Sequence, residues 1–339
     1  MKCAKRATGK ESRRSLAPLA GLLLSGSLLA VLAACSPGPV TEAAGSDQAS
    51  AMASAGSPEA LSGLPGFPPL QALEGPLRIG IQPGHWRVDE LPDELARLRT
   101  STGAAFGPLR ELDLNLAVSK LLAARLAEAG FQAELIPAAV PAGYRADLFV
   151  SVHADRADLG ERQGWKLSPP WRPSRRSREL ADALSAAFRG SGLPEDSGGI
   201  TANMRGYFGF SWWRFGNTLS PYTPAALVEM GFMGNPADRA RMRDQPELYA
   251  GILMNGIEAF LETYEREDLD ALVPFLHQAR YAGAAGTAAR MNPSAGSLIL
   301  ERYEVGRRLM PVDSAGGGWF EVYSRSLRRG VWVHESELD

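Results

Sequence analysis

A chain of 339 residues is long for one domain and comfortable for a core domain plus something smaller. With 45% apolar and 22% charged residues it has an ordinary globular composition, and a formal net charge of −2 offers no overall basic footprint for nucleic acid. Two cysteines, Cys3 and Cys35, exclude a disulfide framework.

The N-terminus carries Lys2, Lys5, Arg6, Lys10, Arg13 and Arg14, and an apolar run from Leu16 to Ala34 then ends in Leu-Ala-Ala-Cys at Cys35. Such a segment is an address and stays out of the fold. It resembles the lipobox of bacterial lipoproteins. That resemblance implies a signal peptide over 1–34 and lipidation at Cys35, with an uncleaved membrane anchor as the alternative. Either reading puts the remaining chain in the cell envelope, extracytoplasmic and anchored to a membrane. Ser36 is not the aspartate associated with inner-membrane retention in two-membrane bacteria, which leaves an outer-membrane position open. The rest of 35–74 is rich in Ala, Ser, Gly and Pro. It buries too little apolar surface to offset its ordering entropy and is expected to be a disordered tether.

From Pro76 strands and helices alternate. "LRIGI" reads as a strand; Leu114, Val118, Leu121, Leu122, Leu126 and Ala129 follow helical spacing, and Gly130 stops that helix. "QAELIP" and "DLFVSV" are strand-like, "SRELADALSAAF" is an amphipathic helix, "AALVEM" a buried strand and "ELYAGILMNGIEAFLETY" a long helix. This order predicts an α/β domain over 75–270, a mostly parallel twisted sheet with helices on both faces. After an Ala/Gly-rich linker over 271–285, the short runs and Gly-rich turns of 286–339 predict a small all-β module.

Three titratable side chains fall at predicted strand ends: His85 in "IQPGHW", His153 in "LFVSVHAD" and Glu229 in "ALVEMGF". Ligands of open α/β sheets bind beyond the carboxyl ends of the strands, so these three are expected to be neighbours. Glu111, at the start of the first long helix, can reach the same crevice. Two imidazoles and a carboxylate suit Zn2+ with a water in the fourth position. Glu229 would then accept the proton of the attacking water and pass it to the leaving amine. Plainer readings exist: His85 as a turn residue, Glu111 as a first-turn acid favoured by the helix dipole, His153 as a satisfied strand-end histidine. A carboxylate within the apolar "AALVEMGF" still needs a partner. Asn115, one turn after Glu111, can orient it or face solvent. His277 and His334 lie outside the strand-end pattern and read as structural or surface residues.

In order, "IQPGHW", "ELDLNL", "DLFVSVHAD" and "PAALVEMGFMGNPAD" resemble the signatures of the zinc-dependent N-acetylmuramoyl-L-alanine amidases of the amidase_3 type, whose fold is phosphorylase/hydrolase-like. The resemblance covers about Gly75 to Tyr264. It implies zinc ligands at His85, Glu111 and His153 and a catalytic glutamate at Glu229. The implied activity is hydrolysis of the amide between the lactyl group of N-acetylmuramic acid and the L-alanine of the stem peptide in peptidoglycan. From about Gly286, "RMNPSAGSLILERYEVGRRLMPV", "GGGWFEVY" and "GVWVHESEL" resemble a bacterial SH3-like barrel, which implies wall-peptide binding as a second function.

The chain departs from the family pattern in several places. Gln82 and Trp86 stand where Asp and Gly are usual, Asp155 replaces the common Asn, and "GERQGWKLSPPWRPSRRS" does not follow the usual G-x-E-x-Y pattern. The segment "AAVPAGYRA" is shortened and "ANMRGYFGFSWWRFGNTLSPYT" lengthened. The aromatic and arginine-bearing loops suggest substrate binding. Trp165, Trp171, Tyr207, Trp212 and Trp213 are candidates to stack on sugars, and Arg175, Arg176, Arg205 and Arg214 to meet stem-peptide carboxylates; aromatic packing of a long insertion is the alternative. At the level of function the alternatives are a related zinc peptidase or carboxypeptidase acting within the stem peptide, or a non-catalytic wall-binding lipoprotein.

Overall fold

The computed structural model describes residues 69–339 apart from 158, 159 and 161. The expected signal peptide, Cys35 and the tether up to residue 68 lie outside the described residues. Among the described residues, no helix is long and apolar enough to cross a membrane.

The chain enters through β1 (Arg78–Pro83), then a small hairpin of β2 (Ala105–Phe106) and β3 (Leu109–Arg110), and returns through helix α1 (Glu111–Glu128) to β4 (Gln132–Leu135). Gly130, at φ 91°, takes the left-handed conformation that ends α1. Next come β5 (Leu148–Asp155), β6 (Lys166–Ser168), α2 (Arg175–Gly190), the short α3 (Ala202–Arg205) and β7 (Ala225–Phe232). Helices α4 (Pro236–Asp244) and α5 (Pro246–Leu261) close the domain. Strand order is β4-β1-β5-β7-β6. β1 pairs in parallel with β4 and β5, and β5 with β7, while β6 is an antiparallel edge. The mostly parallel sheet agrees with the sequence expectation; the three-residue β6 is too short to show a period.

Alternation along the strands divides the sheet's two faces. Ile79, Ile81, Val150, Val152, Ala226 and Val228 point to the face that carries α1, α2 and α5, and share one core with Val118, Leu122, Leu184, Phe188, Leu253 and Phe260 of those helices. Burying each such side chain contributes roughly 1.5–3 kcal/mol, which is why these long helices share one face. The opposite face is covered by short helix and loop: Phe149 and Leu227 pack against Ile136, Val140, Met204, Phe210 and Leu219. Both faces are thus covered, but unequally.

At the amino ends of the strands Asp147 is fully buried and fully satisfied. Its Oδ1 accepts from Tyr264 (3.1 Å) and Arg266 Nε (2.7 Å), and its Oδ2 from the Arg78 amide (2.7 Å) and Arg266 Nη2 (2.6 Å). This acid ties β1, β5 and the end of α5 together.

The C-terminal part is all-β. It comprises β8 (Arg280–Tyr281), β9 (Thr287–Arg290), β10 (Ile299–Tyr303), β11 (Arg308–Leu309), β12 (Pro311–Gly316), β13 (Trp319–Ser324) and β14 (Arg329–His334). Five strands form an antiparallel sheet of order β10-β9-β14-β13-β12, and β8 pairs with β11. Ala282, Ala289, Leu309, Val322, Val331 and Val333 make its small core, an arrangement that fits an SH3-like barrel. β8 falls within the stretch expected to be linker. The module is seated on the larger domain by several contacts: Arg178 pairs with Asp313, Tyr323 donates to the Ile200 carbonyl, and the Trp171 and Tyr323 rings meet edge to face.

Candidate metal centre

His85 sits on the turn that leaves β1, at φ 65°, a strained conformation for a residue with a side chain. Gly84 precedes it because nothing larger fits: a Cβ there would lie 2.4 Å from the His153 ring. The His85 Nδ1 is 2.6 Å from the Ser101 carbonyl, so Nδ1 carries a proton and donates it, and in the neutral ring Nε2 presents its lone pair. That Nε2 lies 3.2 Å from Glu111 Oε1. His153, at the end of β5 and 8% exposed, places Nδ1 3.1 Å from the same oxygen. Its Nε2 is buried and has no partner among the described residues.

Glu111 is held from several sides. Its Oε2 accepts from the Ala104 amide (2.7 Å), and its Oε1 from the Ala154 amide (3.2 Å) and Asn115 Nδ2 (3.3 Å). Asn115 also donates to the Gly84 carbonyl, tying α1 to the His85 turn. Of the two readings open for Asn115, the structure takes orientation of the carboxylate.

His85, Glu111 and His153 each offer one ligand atom, and the three atoms lie within 4.8 Å of one another. A tetrahedral zinc with bonds near 2.0–2.1 Å sets its ligands roughly 3.3 Å apart, close to both nitrogen–oxygen separations here. Three ligand atoms aimed at one point favour positive charge between them, supplied by a proton on an imidazole or by a cation. Burial disfavours a charged His85, but its hydrogen bond to Glu111 and that acid's charge raise its pKa on balance. Burial likewise disfavours an ionised Glu111, yet the hydrogen bonds from His153 and His85 drive its carboxyl far below the usual range. The donor set fits zinc.

Glu229 projects from β7 on the same face, in register with His153 of β5. Its Oε2 is sealed from solvent without a partner among the described residues. Burial, then the charges of Asp155 and Glu111, push its carboxyl well up, with Lys166 opposing them. A pocket of about 220 Å³ opens onto these four side chains and is also lined by Gly103, Asp155 and Arg156. Sequence patterns do not single out Asp155 and Arg156 as pocket residues; their place directly after His153 is the signal that could have found them.

None of the residues suggested for substrate binding lines this pocket. Trp165 is 1% exposed and packs its ring on Phe188 in the helical core. Arg205 is buried near Trp171 and Tyr323 and pairs with Glu321 of the all-β module. Trp212 packs with Tyr222, Leu272 and Leu70 at the other end of β7 from Glu229, and Trp213 lies edge-on to it beneath Arg172. Arg214 stacks on Phe215, while Arg175 and Arg176 pair with Glu179 and Asp268. Tyr207 comes nearest: its ring lies 5.9 Å from His153, and its hydroxyl donates to Gln82, which also accepts from Ser151. Gln82 therefore supports the floor behind His153. His277 and His334 stay outside the cluster, the latter bonded to Ser336 and Gly317.

The family model described as N-acetylmuramoyl-L-alanine amidase matches residues 79–259. A search of curated proteins finds no match to the chain. Among solved structures, the chain is similar to the N-acetylmuramyl-L-alanine amidase Ami1 from Mycobacterium smegmatis, with 20% identity over 57% of this chain and 100% of that one and a TM-score of 0.42. It is also similar to the N-acetylmuramoyl-L-alanine amidase AmiC2 of Nostoc punctiforme, with 21% identity over 56% of this chain and 99% of that one and a TM-score of 0.40. For the CwlD amidase from Clostridioides difficile, solved in complex with the GerS lipoprotein, the values are 16%, 56%, 100% and 0.37.

Proposed function

We propose, because the chain belongs to the N-acetylmuramoyl-L-alanine amidase family, that it hydrolyses the amide between the lactyl group of N-acetylmuramic acid and L-alanine in peptidoglycan, with zinc as cofactor. The observation that carries this reading is the convergence of His85 Nε2, Glu111 Oε1 and His153 Nδ1 beside the unpartnered Glu229 carboxylate. His85, Glu111 and His153 would hold the ion. When bound, zinc supplies a Lewis acid that polarises a carbonyl oxygen, acidifies a water and favours ionised carboxylates around it.

The chain's own residues do the rest. Ser101 fixes the His85 tautomer, and Asn115 with the Ala104 and Ala154 amides fixes the Glu111 oxygens. Glu229 takes a proton from the attacking water as its oxygen adds to the lactyl carbonyl carbon. It then gives that proton to the alanine nitrogen as the carbon–nitrogen bond breaks. In this reading the lipid on Cys35 anchors the enzyme at a membrane facing the wall, and the SH3-like module holds wall peptides.

Mass analysis of muropeptides digested by the purified, zinc-loaded protein tests the proposal. Free stem peptides without sugar are expected. Shortened stems still joined to sugar would make it a peptidase, and intact muropeptides would contradict hydrolysis altogether.

A further inference from the structure

Two departures from the family pattern, Asp155 and the lysine of "GWKLS", meet beside the pocket. On β6, Lys166 stands directly opposite Glu229, whose other neighbour across the sheet is His153. His153, Glu229 and Lys166 thus form one row over three adjacent strands. Residues directly opposite on one face have Cβ atoms about 4.5–5.5 Å apart, well within the reach of a lysine. Yet the Lys166 ammonium is bonded to Asp155 on β5, on the far side of β7. Its stem therefore crosses the strand that carries Glu229, and Nζ lies 4.8 Å over the Phe232 ring at the end of that strand.

A second acid, Asp196, lies 3.8 Å from the ammonium. It is already committed to Arg162 and to the Gly198 amide. Lys166 is only 3% exposed, so its charge must be met by carboxylates nearby. Of the acids within reach, Asp155 takes the ammonium, while Glu229 Oε2 is left without a partner.

We infer that Lys166 is a positioning residue for Glu229, its ammonium detained by Asp155 so that it stands beside the carboxylate without capping it. The inference rests on the amidase reading, in which Glu229 must keep an oxygen free for the proton of water. Asp155 is then the restraint: without it, Asp196 is saturated by Arg162 and the ammonium turns to Glu229.

The test compares Asp155→Ala, Lys166→Met and the double variant in the full-length, zinc-loaded protein, reading kcat, KM, zinc content and the crystal structure of Asp155→Ala. Asp155→Ala should lower kcat about tenfold with KM and zinc content unchanged, and its structure should show Lys166 bonded to Glu229. Lys166→Met should lower kcat only a few-fold, and the double variant should match Lys166→Met, so that removing the lysine restores activity to Asp155→Ala. A double variant whose loss is the product of the single losses overturns the inference, as does a lysine that stays on Asp196. If the parent hydrolyses no muropeptide the amidase reading fails, and the position of Lys166 in the Asp155→Ala crystal still decides whether the restraint exists.

Discussion

The two ends of one sheet treat their acids in opposite ways. At the amino ends, Asp147 is fully buried and its two oxygens accept four hydrogen bonds, two of them from Arg266. At the carboxyl ends, Glu229 has an oxygen sealed from solvent with no partner among the described residues, and Lys166, opposite it on β6, is tied to another acid. Leaving a buried polar group unpaired costs about 1–3 kcal/mol, more for a charge. Of these two acids, the satisfied one lies at the amino ends and the unpartnered one beside the candidate metal site.

The largest effect that would sharpen this contrast is expected at Glu229→Gln. Turnover should fall about 10²–10⁴-fold while zinc content and thermal stability hold, because the amide fills the same space but cannot accept a proton. Asp147→Ala should do the reverse. Removing the buried acceptor of four hydrogen bonds, one from Tyr264, one from the Arg78 amide and two from Arg266, should cost about 3–5 kcal/mol in urea unfolding, with kcat of the folded fraction unchanged. Equal stability losses for the two variants would erase the distinction between the ends.

A smaller effect is expected at Asn115→Ala, which frees Glu111 Oε1 from one donor and loosens the His85 turn. Zinc affinity should weaken about 10–100-fold, measured by competition with a chelating dye.

A further effect concerns His277, outside both acid sites. Burial, then the charge of Arg172, pull its pKa down from 6.5 to about 4. Because the folded value lies below the unfolded one, its contribution to stability is complete above about pH 6.5 and is lost as pH falls through about 4. Lowering pH from 7 to 4 should therefore reduce Tm, and His277→Gln should make that fall measurably smaller.

Much of this contrast was readable in the chain itself. Alternating strand and helix patterns led to the parallel sheet, and the strand-end rule brought His85, His153 and Glu229 to one crevice because loops converge there. Lys166 was not readable as a neighbour of Glu229, since a three-residue edge strand shows no period and its partner lies on a strand two places away. The tryptophans misled for another reason. An aromatic serves equally as a sugar platform or as core, and Trp165 and Trp212 are packed against Phe188 and Tyr222, partners that no local pattern announces. Arg205 was likewise unreadable, because Glu321 belongs to another module far along the chain.

The central claim is that His85, Glu111 and His153 hold one divalent ion between them. Calorimetric titration of zinc into metal-free protein tests it most directly. The account predicts one zinc per chain, with binding lost in His85→Ala and in His153→Ala and kept in Glu229→Gln. Absence of zinc uptake by the parent protein, or uptake unchanged in His153→Ala, would contradict it.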